Sequence, residues 1–239
     1  MKAASITFVT GTDTDVGKTI ATAALAATLA ARGGAVAVYK PTQTGISGTE
    51  EPGDKDEVTR LSGVHASHEG IRLRDPMAPV AAAAREQRSL PSLADHVGAI
   101  VGLADEYDHV LVEGAGGVLV ELDGERHTLV DLATVLRART AQTQTATALV
   151  VVCRSGLGTL NHTLLTLEAL VHRGLPADGL VIGSWPESPS IIERSNRDFF
   201  ESLETPFLGA LPAGASALEP AIFQQLAPQW IHGLAVHAS

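Results

Sequence analysis

The stretch TGTDTDVGKT, residues 10–19, constrains this chain more than any other. It follows an apolar, β-branched run over residues 6–10 and opens an alanine-rich stretch over residues 18–32, closed by Gly33-Gly34. A strand, a glycine loop and a helix in that order form a phosphate-binding turn. Backbone N–H groups converge on phosphate oxygens, and the helix N-terminus adds its partial positive charge. Lys18 supplies a point charge for the outer phosphates and Thr19 a hydroxyl for Mg²⁺. The usual loop has four residues between its first glycine and Gly-Lys-Ser/Thr. Here Thr12 stands in the place of that glycine, and Gly11 lies one step earlier. An ordinary strand–helix turn with a chance Gly-Lys-Thr is the competing explanation, and the flanking pattern weighs against it.

The rest of the chain repeats the alternation. Apolar runs at 35–39, 109–112, 148–152, 179–182 and 206–211 read as strands. Helical patterns cover 54–62, 92–104, 129–138, 160–172 and 189–203. Near-continuous apolar strands belong in a sheet covered on both faces, so the expected fold is α/β, a doubly wound, mainly parallel sheet. With 239 residues, 45% of them hydrophobic, the chain fits one such domain spanning residues 1–239. Residues 63–91, broken by Pro76, Pro79 and Pro91, follow no simple period.

Composition narrows the function. A net charge of −10 argues against a nucleic-acid surface. Met1-Lys2 leads directly into a β-rich run with no signal-peptide pattern, and the apolar stretch at 20–31 is too short to span a bilayer. The expectation is a cytoplasmic protein without membrane or nucleic-acid partners. The single cysteine, Cys153, ends an apolar run with no base beside it in sequence, which suits a buried, inert thiol. Trp185, Trp230 and Phe207 read as packing or interface residues.

Four further motifs carry chemistry. In VLVEGAGG, residues 110–117, an apolar strand ends in Glu113 and a glycine loop. A carboxylate at that place holds Mg²⁺ in phosphate-loop proteins, and the glycines allow close backbone approach to a ligand. In VYKPTQTG, residues 38–45, Lys40 follows a strand and so sits at the carboxyl edge of the sheet, where open α/β sheets bind ligands. A second lysine there balances charge developing in phosphoryl transfer. Asp54 and Asp56, in Gly-Asp-Lys-Asp, either cap a helix or complete a magnesium site with Thr19 and Glu113. GLGTLNHTLLT, residues 156–166, is a glycine-led helix start whose free N–H groups suit a carboxylate, although taken alone an ordinary helix start is the favoured explanation.

Taken together, GTDTDVGKT, YKPTQTG, VEGAGG and GLGTLNHTLLTLEAL resemble the dethiobiotin synthetase family, within the P-loop NTPase superfamily, in motif and in order over residues 6–212. The family's loop has five residues between its first glycine and Gly17, which accounts for the irregular spacing. The resemblance implies ATP-dependent carboxylation and ring closure of 7,8-diaminopelargonic acid. One amine and CO₂ form a carbamate, its oxygen attacks the γ-phosphate, and the second amine closes on the carbamic-phosphoric anhydride. It places Lys40, Lys18 and Thr14 at the chemistry. It assigns the nucleotide to Asp15, Val16, Gly17, Lys18, Thr19 and Glu113, with the base near Gly183, Ser184, Leu211, Pro212 and Ala213. The diamine falls to Thr14, Lys40, Thr44, Gly116 and Gly117, with Asp15 able to orient an amine. The substrate tail carboxylate falls to Gly158, Thr159, Leu160 and Asn161, contributed by the partner chain of a homodimer. Mg²⁺ falls to Thr19, Asp54 and Glu113, the family spacing selecting Asp54 over Asp56. Family members read adenine with an asparagine where Gly183 stands, so ATP is implied while other nucleoside triphosphates stay open. Related amide-forming ligases usually add a glutaminase domain absent here, and partition ATPases carry a lysine where Asp13 stands.

Overall fold

The structure, a computed structural model, describes residues 4–48 and 51–233. Seven strands form one parallel sheet in the order β3-β2-β4-β1-β5-β6-β7. They are β1 (Ser5–Gly11), β2 (Val36–Gln43), β3 (Ser67–Arg72), β4 (His109–Gly117), β5 (Ala146–Cys153), β6 (Gly179–Trp185) and β7 (Phe207–Pro212). The helices between and after them are α1 (Lys18–Ala31), α2 (Asp54–Ser62), α3 (Pro79–Glu86), α4 (Leu93–Glu106), α5 (Leu129–Thr140), α6 (Thr159–His172), α7 (Ile191–Glu201) and α8 (Pro220–Trp230). No helix among the described residues is long and apolar enough to cross a membrane.

Two apolar cores explain the layering. On one face α1 is buried along nearly its whole length, and its alanines let it lie close against the sheet while Val58 and Leu61 of α2 and Phe223 and Ala227 of α8 cover it. On the other face α4, α5, α6 and α7 pack Ile100, Leu132, Leu136, Leu170 and Phe200 against Phe8, Val110, Val112 and Val151. Cys153 lies in that core, and burial pushes its thiol up to about 12, so it stays protonated and inert. Trp185 and Phe207 share the guanidinium of Arg197, at 5.4 and 5.6 Å, and Trp230 stacks edge-on against Phe223.

The strand ends differ from expectation in ways that build the site. β2 does not stop at residue 39. Its pairing with β4 ends at Tyr39↔Val112, but pairing with β3 continues through Lys40↔Glu69 to Gln43↔Arg72. Lys40 therefore sits inside the strand. β4 likewise runs past residue 112, because Glu113 pairs with Val9 and Gly117 with Gly11. The 63–91 stretch, without a reading in sequence, contributes β3 and α3. β3 is an edge strand whose exposed positions, His68 and Gly70, alternate with half-buried polar ones, and α3 begins at Pro79, where proline is favoured. β1 lies between β4 and β5 at the centre of the sheet. The loops after β1, β2 and β4 therefore open at one sheet edge, where the strand order reverses.

Candidate active site

The loop after β1 is held by close packing. A Cβ on Gly11 would lie 2.7 Å from Val16 Cγ2 and 2.9 Å from the Asp13 carbonyl oxygen. Gly17, with φ of 93°, caps α1 in the left-handed region that favours glycine. Asp15 is also left-handed, at φ 56°, which aspartate tolerates better than most residues. The Lys18 ammonium donates to the Asp13 carbonyl at 2.9 Å, and Arg154 Nη2 donates to the Thr14 carbonyl at 2.9 Å. Thr12 N–H donates to Val152 on β5 at 2.9 Å, tying the loop to the sheet.

Four charged groups meet beside it. Lys40 Nζ lies 2.5 Å from Asp54 Oδ2 and 2.8 Å from Glu113 Oε1, and donates also to the Gly114 carbonyl at 3.1 Å. Thr19 Oγ1 donates to the same Glu113 oxygen at 2.9 Å. Lys40 and Glu113 are fully buried, while Asp54 is partly open to the cavity. Burial works to lower the Lys40 pKa, but the Glu113 and Asp54 carboxylates outweigh it and hold the ammonium above the ordinary lysine value. Lys18 shifts the other way, lowered first by burial and then by the charge of Lys40.

Lys18, Thr19, Lys40, Asp54 and Glu113 all line one cavity of about 820 Å³. Thr14, Asp15, Gly17, Thr44 and Gly116 line it too. Sequence reading missed part of this wall. Pro76 and Met77 come from the turn before α3 and Pro79 from its first residue, in the stretch without a period, and Val120 from beyond the glycine loop. Gln43 and Thr42, within the VYKPTQTG motif, line it as well. In a strand ending at residue 39 their direction could not be read.

A second cavity, of about 550 Å³, adjoins the other side of the loop. Asp15 lines both, with Val16, Ser184 and Ala213 on the second; Arg154, Ser155 and Glu193 join them there without having been foreseen. The remaining assignments scatter. Gly183 is buried behind the loop, where a Cβ would lie 2.0 Å from the Val16 carbonyl oxygen. Glycine there lets β6 pack against the loop backbone, and an asparagine would have to push the two apart. The Leu211 side chain points into the core and Pro212 pairs with Trp185. Gly117 is built into the β1–β4 ladder. Gly158, Thr159, Leu160 and Asn161 line none of these cavities. The Thr159 hydroxyl is buried and donates to the Arg154 carbonyl at 2.7 Å, while Leu160 packs on the core.

The oxygens present fit Mg²⁺. Asp54 and Glu113 come from different elements yet reach the same ammonium, so their carboxylates converge on a point one cation can occupy, with the Thr19 hydroxyl beside it. No cluster of three or more His, Cys, Asp or Glu is found among the described residues. Two carboxylates and a hydroxyl suit a hard ion that keeps its waters and takes phosphate oxygens, which is how Mg²⁺ is usually bound.

Known proteins share both the fold and the sequence. Pyrococcus furiosus cell division ATPase MinD superposes with a TM-score of 0.54 at 19% identity, covering 94% of this chain and 97% of that one. The Thermotoga maritima cell division protein ftsY superposes at 0.50 with 14% identity, covering 94% and 68%. Such likeness concerns the fold alone. The family model described as an AAA domain matches residues 6–220. The ATP-dependent dethiobiotin synthetase BioD of Rhodococcus jostii is 49% identical over 227 residues, covering 95% of this chain and 94% of the relative. Its namesakes from Mycobacterium sp. (strain JLS) and Streptomyces coelicolor are 46% and 47% identical, covering 96% and 93% of this chain and 99% and 90% of their own. At such identity over nearly the whole length, with the phosphate loop and its paired lysines assembled at one sheet edge, the chain belongs to the ATP-dependent dethiobiotin synthetase family.

Proposed function

We propose that this chain is an ATP-dependent cyclo-ligase that converts 7,8-diaminopelargonic acid and CO₂ to dethiobiotin, in biotin biosynthesis, with ATP cleaved to ADP and phosphate. One amine adds to CO₂ and loses a proton, giving a carbamate. A carbamate oxygen attacks the γ-phosphorus and ADP leaves. The second amine attacks the carbonyl of the mixed anhydride, phosphate leaves, and the cyclic urea closes. The observation that carries this reading is Lys40, buried in β2 between Asp54 and Glu113 in the cavity it shares with Lys18.

In this reading Lys18 and the loop amides hold the nucleotide's phosphates, and Lys40 offsets charge gathering on the phosphoryl group in flight. Thr19, Asp54 and Glu113 would hold Mg²⁺, which supplies charge neutralisation at the phosphate oxygens when bound. With Mg²⁺ held there, the two carboxylates would face the metal, leaving the Lys40 ammonium free for the transferring group. Thr14, Thr44 and Gly116 orient the diamine, and Asp15, which lines both cavities, stands between substrate and nucleotide. The base lies along Ser184 and Ala213, with no side-chain amide at Gly183 to select adenine. The tail carboxylate reaches the start of α6 in a second protomer, a reading supported by residues 158–161 lying outside the two cavities described. The exposed Leu157, Leu164 and Leu165 beside them support a contact face. A cytoplasmic homodimer acting on small molecules is part of this proposal.

Phosphate release from ATP tests it. Release should rise when diaminopelargonic acid and bicarbonate are added together. Release that is the same with and without the diamine would instead identify a nucleotide-driven switch.

A further inference from the structure

The side-chain amide of Gln43 bridges two parts of the cavity that belong to different substrates. Its Oε1 accepts from the Asp54 N–H at 2.8 Å, and its Nε2 donates to the Thr44 carbonyl at 2.9 Å. Asp54 is the first residue of α2, so its N–H has no partner inside the helix and needs one from outside. The orientation of the amide is fixed by this chemistry. A flipped amide would set N–H against N–H at one end and oxygen against oxygen at the other.

The surroundings leave Gln43 no freedom. It is buried at 5% exposure and lies in register with Arg72 on β3. Its own carbonyl accepts from Leu73 N–H at 2.8 Å. Arg72 Nη2 bonds Asp56 Oδ2 at 3.0 Å, and Asp56 Oδ2 accepts from Gly53 N–H at 2.8 Å, clamping the start of α2 from behind. Gly53 makes room for the bridge, since a Cβ there would lie 3.0 Å from Gln43 Oε1.

We infer that Gln43 is a positioning residue that sets the Asp54 carboxylate and the Thr44 hydroxyl in one frame, so that the metal–phosphate end and the diamine end of the cavity are aligned together. It lines the cavity wall, and its amide acts through the two backbone groups it holds. The inference rests on the ligase reading above, which assigns Asp54 to the metal and Thr44 to the diamine.

Two variants separate its halves. Gln43→Met keeps the length and removes both hydrogen bonds. Gln43→Glu keeps the acceptor for Asp54 N–H and loses the donor to Thr44. The measurements are calorimetric dissociation constants for ADP with and without Mg²⁺ and for diaminopelargonic acid alone, with thermal midpoints as a check on folding. Removing a residue that orients a ligand group typically weakens binding on the order of tenfold. Gln43→Met should therefore weaken ADP about tenfold only when Mg²⁺ is present, and weaken the diamine similarly. Gln43→Glu should recover the Mg²⁺-dependent part and leave the diamine weak. If Gln43→Met matches the wild type on both ligands, or Gln43→Glu fails to split them, the inference is wrong. Should the methionine variant not fold, the split in Gln43→Glu decides alone. Product formation by the wild type is the separate control. If the wild type makes no cyclic urea, the ligase reading fails; if it does and the variants behave like it, only the role of Gln43 fails.

Discussion

In the proposed reaction, Lys40 is the residue on which the chemistry turns. A buried ammonium is stable only because Glu113 and Asp54 face it, and the same carboxylates are the groups a divalent cation would claim. Without Lys40 the loop and Lys18 still offer their donors to phosphate. We expect Lys40→Ala to bind ADP within tenfold of wild type and to lose turnover on the order of a hundred- to a thousandfold, as removal of a transition-state donor does. Calorimetry beside a steady-state assay checks both, and near-normal turnover would remove the residue from the mechanism. Thr42, two residues along the same strand, is a different case. It is buried, and its hydroxyl finds no hydrogen-bond partner among the described residues. An unsatisfied buried hydroxyl costs on the order of 1–3 kcal/mol. Thr42→Val keeps the shape and drops the hydroxyl, so its denaturant midpoint should rise. A lower midpoint would show that the hydroxyl is satisfied in solution.

At the scale of elements, the start of α2 is where the site leans on local electrostatics. Burial works against the Asp56 carboxylate, but Lys55, the Gly53 N–H and Arg72 outweigh it and bring its pKa from 3.8 down to about 2. A depressed carboxylate stabilises the fold above its unfolded value, and that contribution is lost as pH falls through the folded one. Asp56→Asn should thus be less stable than wild type near neutral pH. The two melting curves should converge as pH drops from 3.8 towards 2. A gap that stays constant across that window would dismiss the clamp. The strands and helices with strong patterns were legible in sequence, α2 to the residue, because apolar periodicity and capping are local. β3 escaped because an edge strand buries little and shows mixed polarity, and with it went the continuation of β2 that turns Gln43 and Thr42 into the site. α8 was not read either, although Phe223 and Trp230 close the core over α1. The lysines, Thr19 and Glu113 could be assigned from motifs. The packing of Gly183 against Val16 could not, because it joins residues far apart in the chain.

For the whole molecule, the question is whether one chain is enough. Residues 158–161 line neither of the two cavities, while Leu157, at 88% exposure, and Leu165, at 56%, stand in the open beside them. In the proposed dimer these apolar side chains would lie at the contact between protomers. We expect a dimer by light scattering. Leu165→Asp should yield monomers whose KM for the diamine rises far more than that for ATP, and a monomeric wild type with full activity would contradict the shared site. The central claim is that the phosphate loop, the two lysines and their carboxylates serve ring closure rather than nucleotide hydrolysis alone. Its most direct test is mass spectrometry of the wild-type reaction with labelled bicarbonate, ATP and Mg²⁺, with and without diaminopelargonic acid. The account predicts a labelled cyclic urea that appears only with the diamine, in step with phosphate. Phosphate formed without that product, at the same rate in both mixtures, would contradict it.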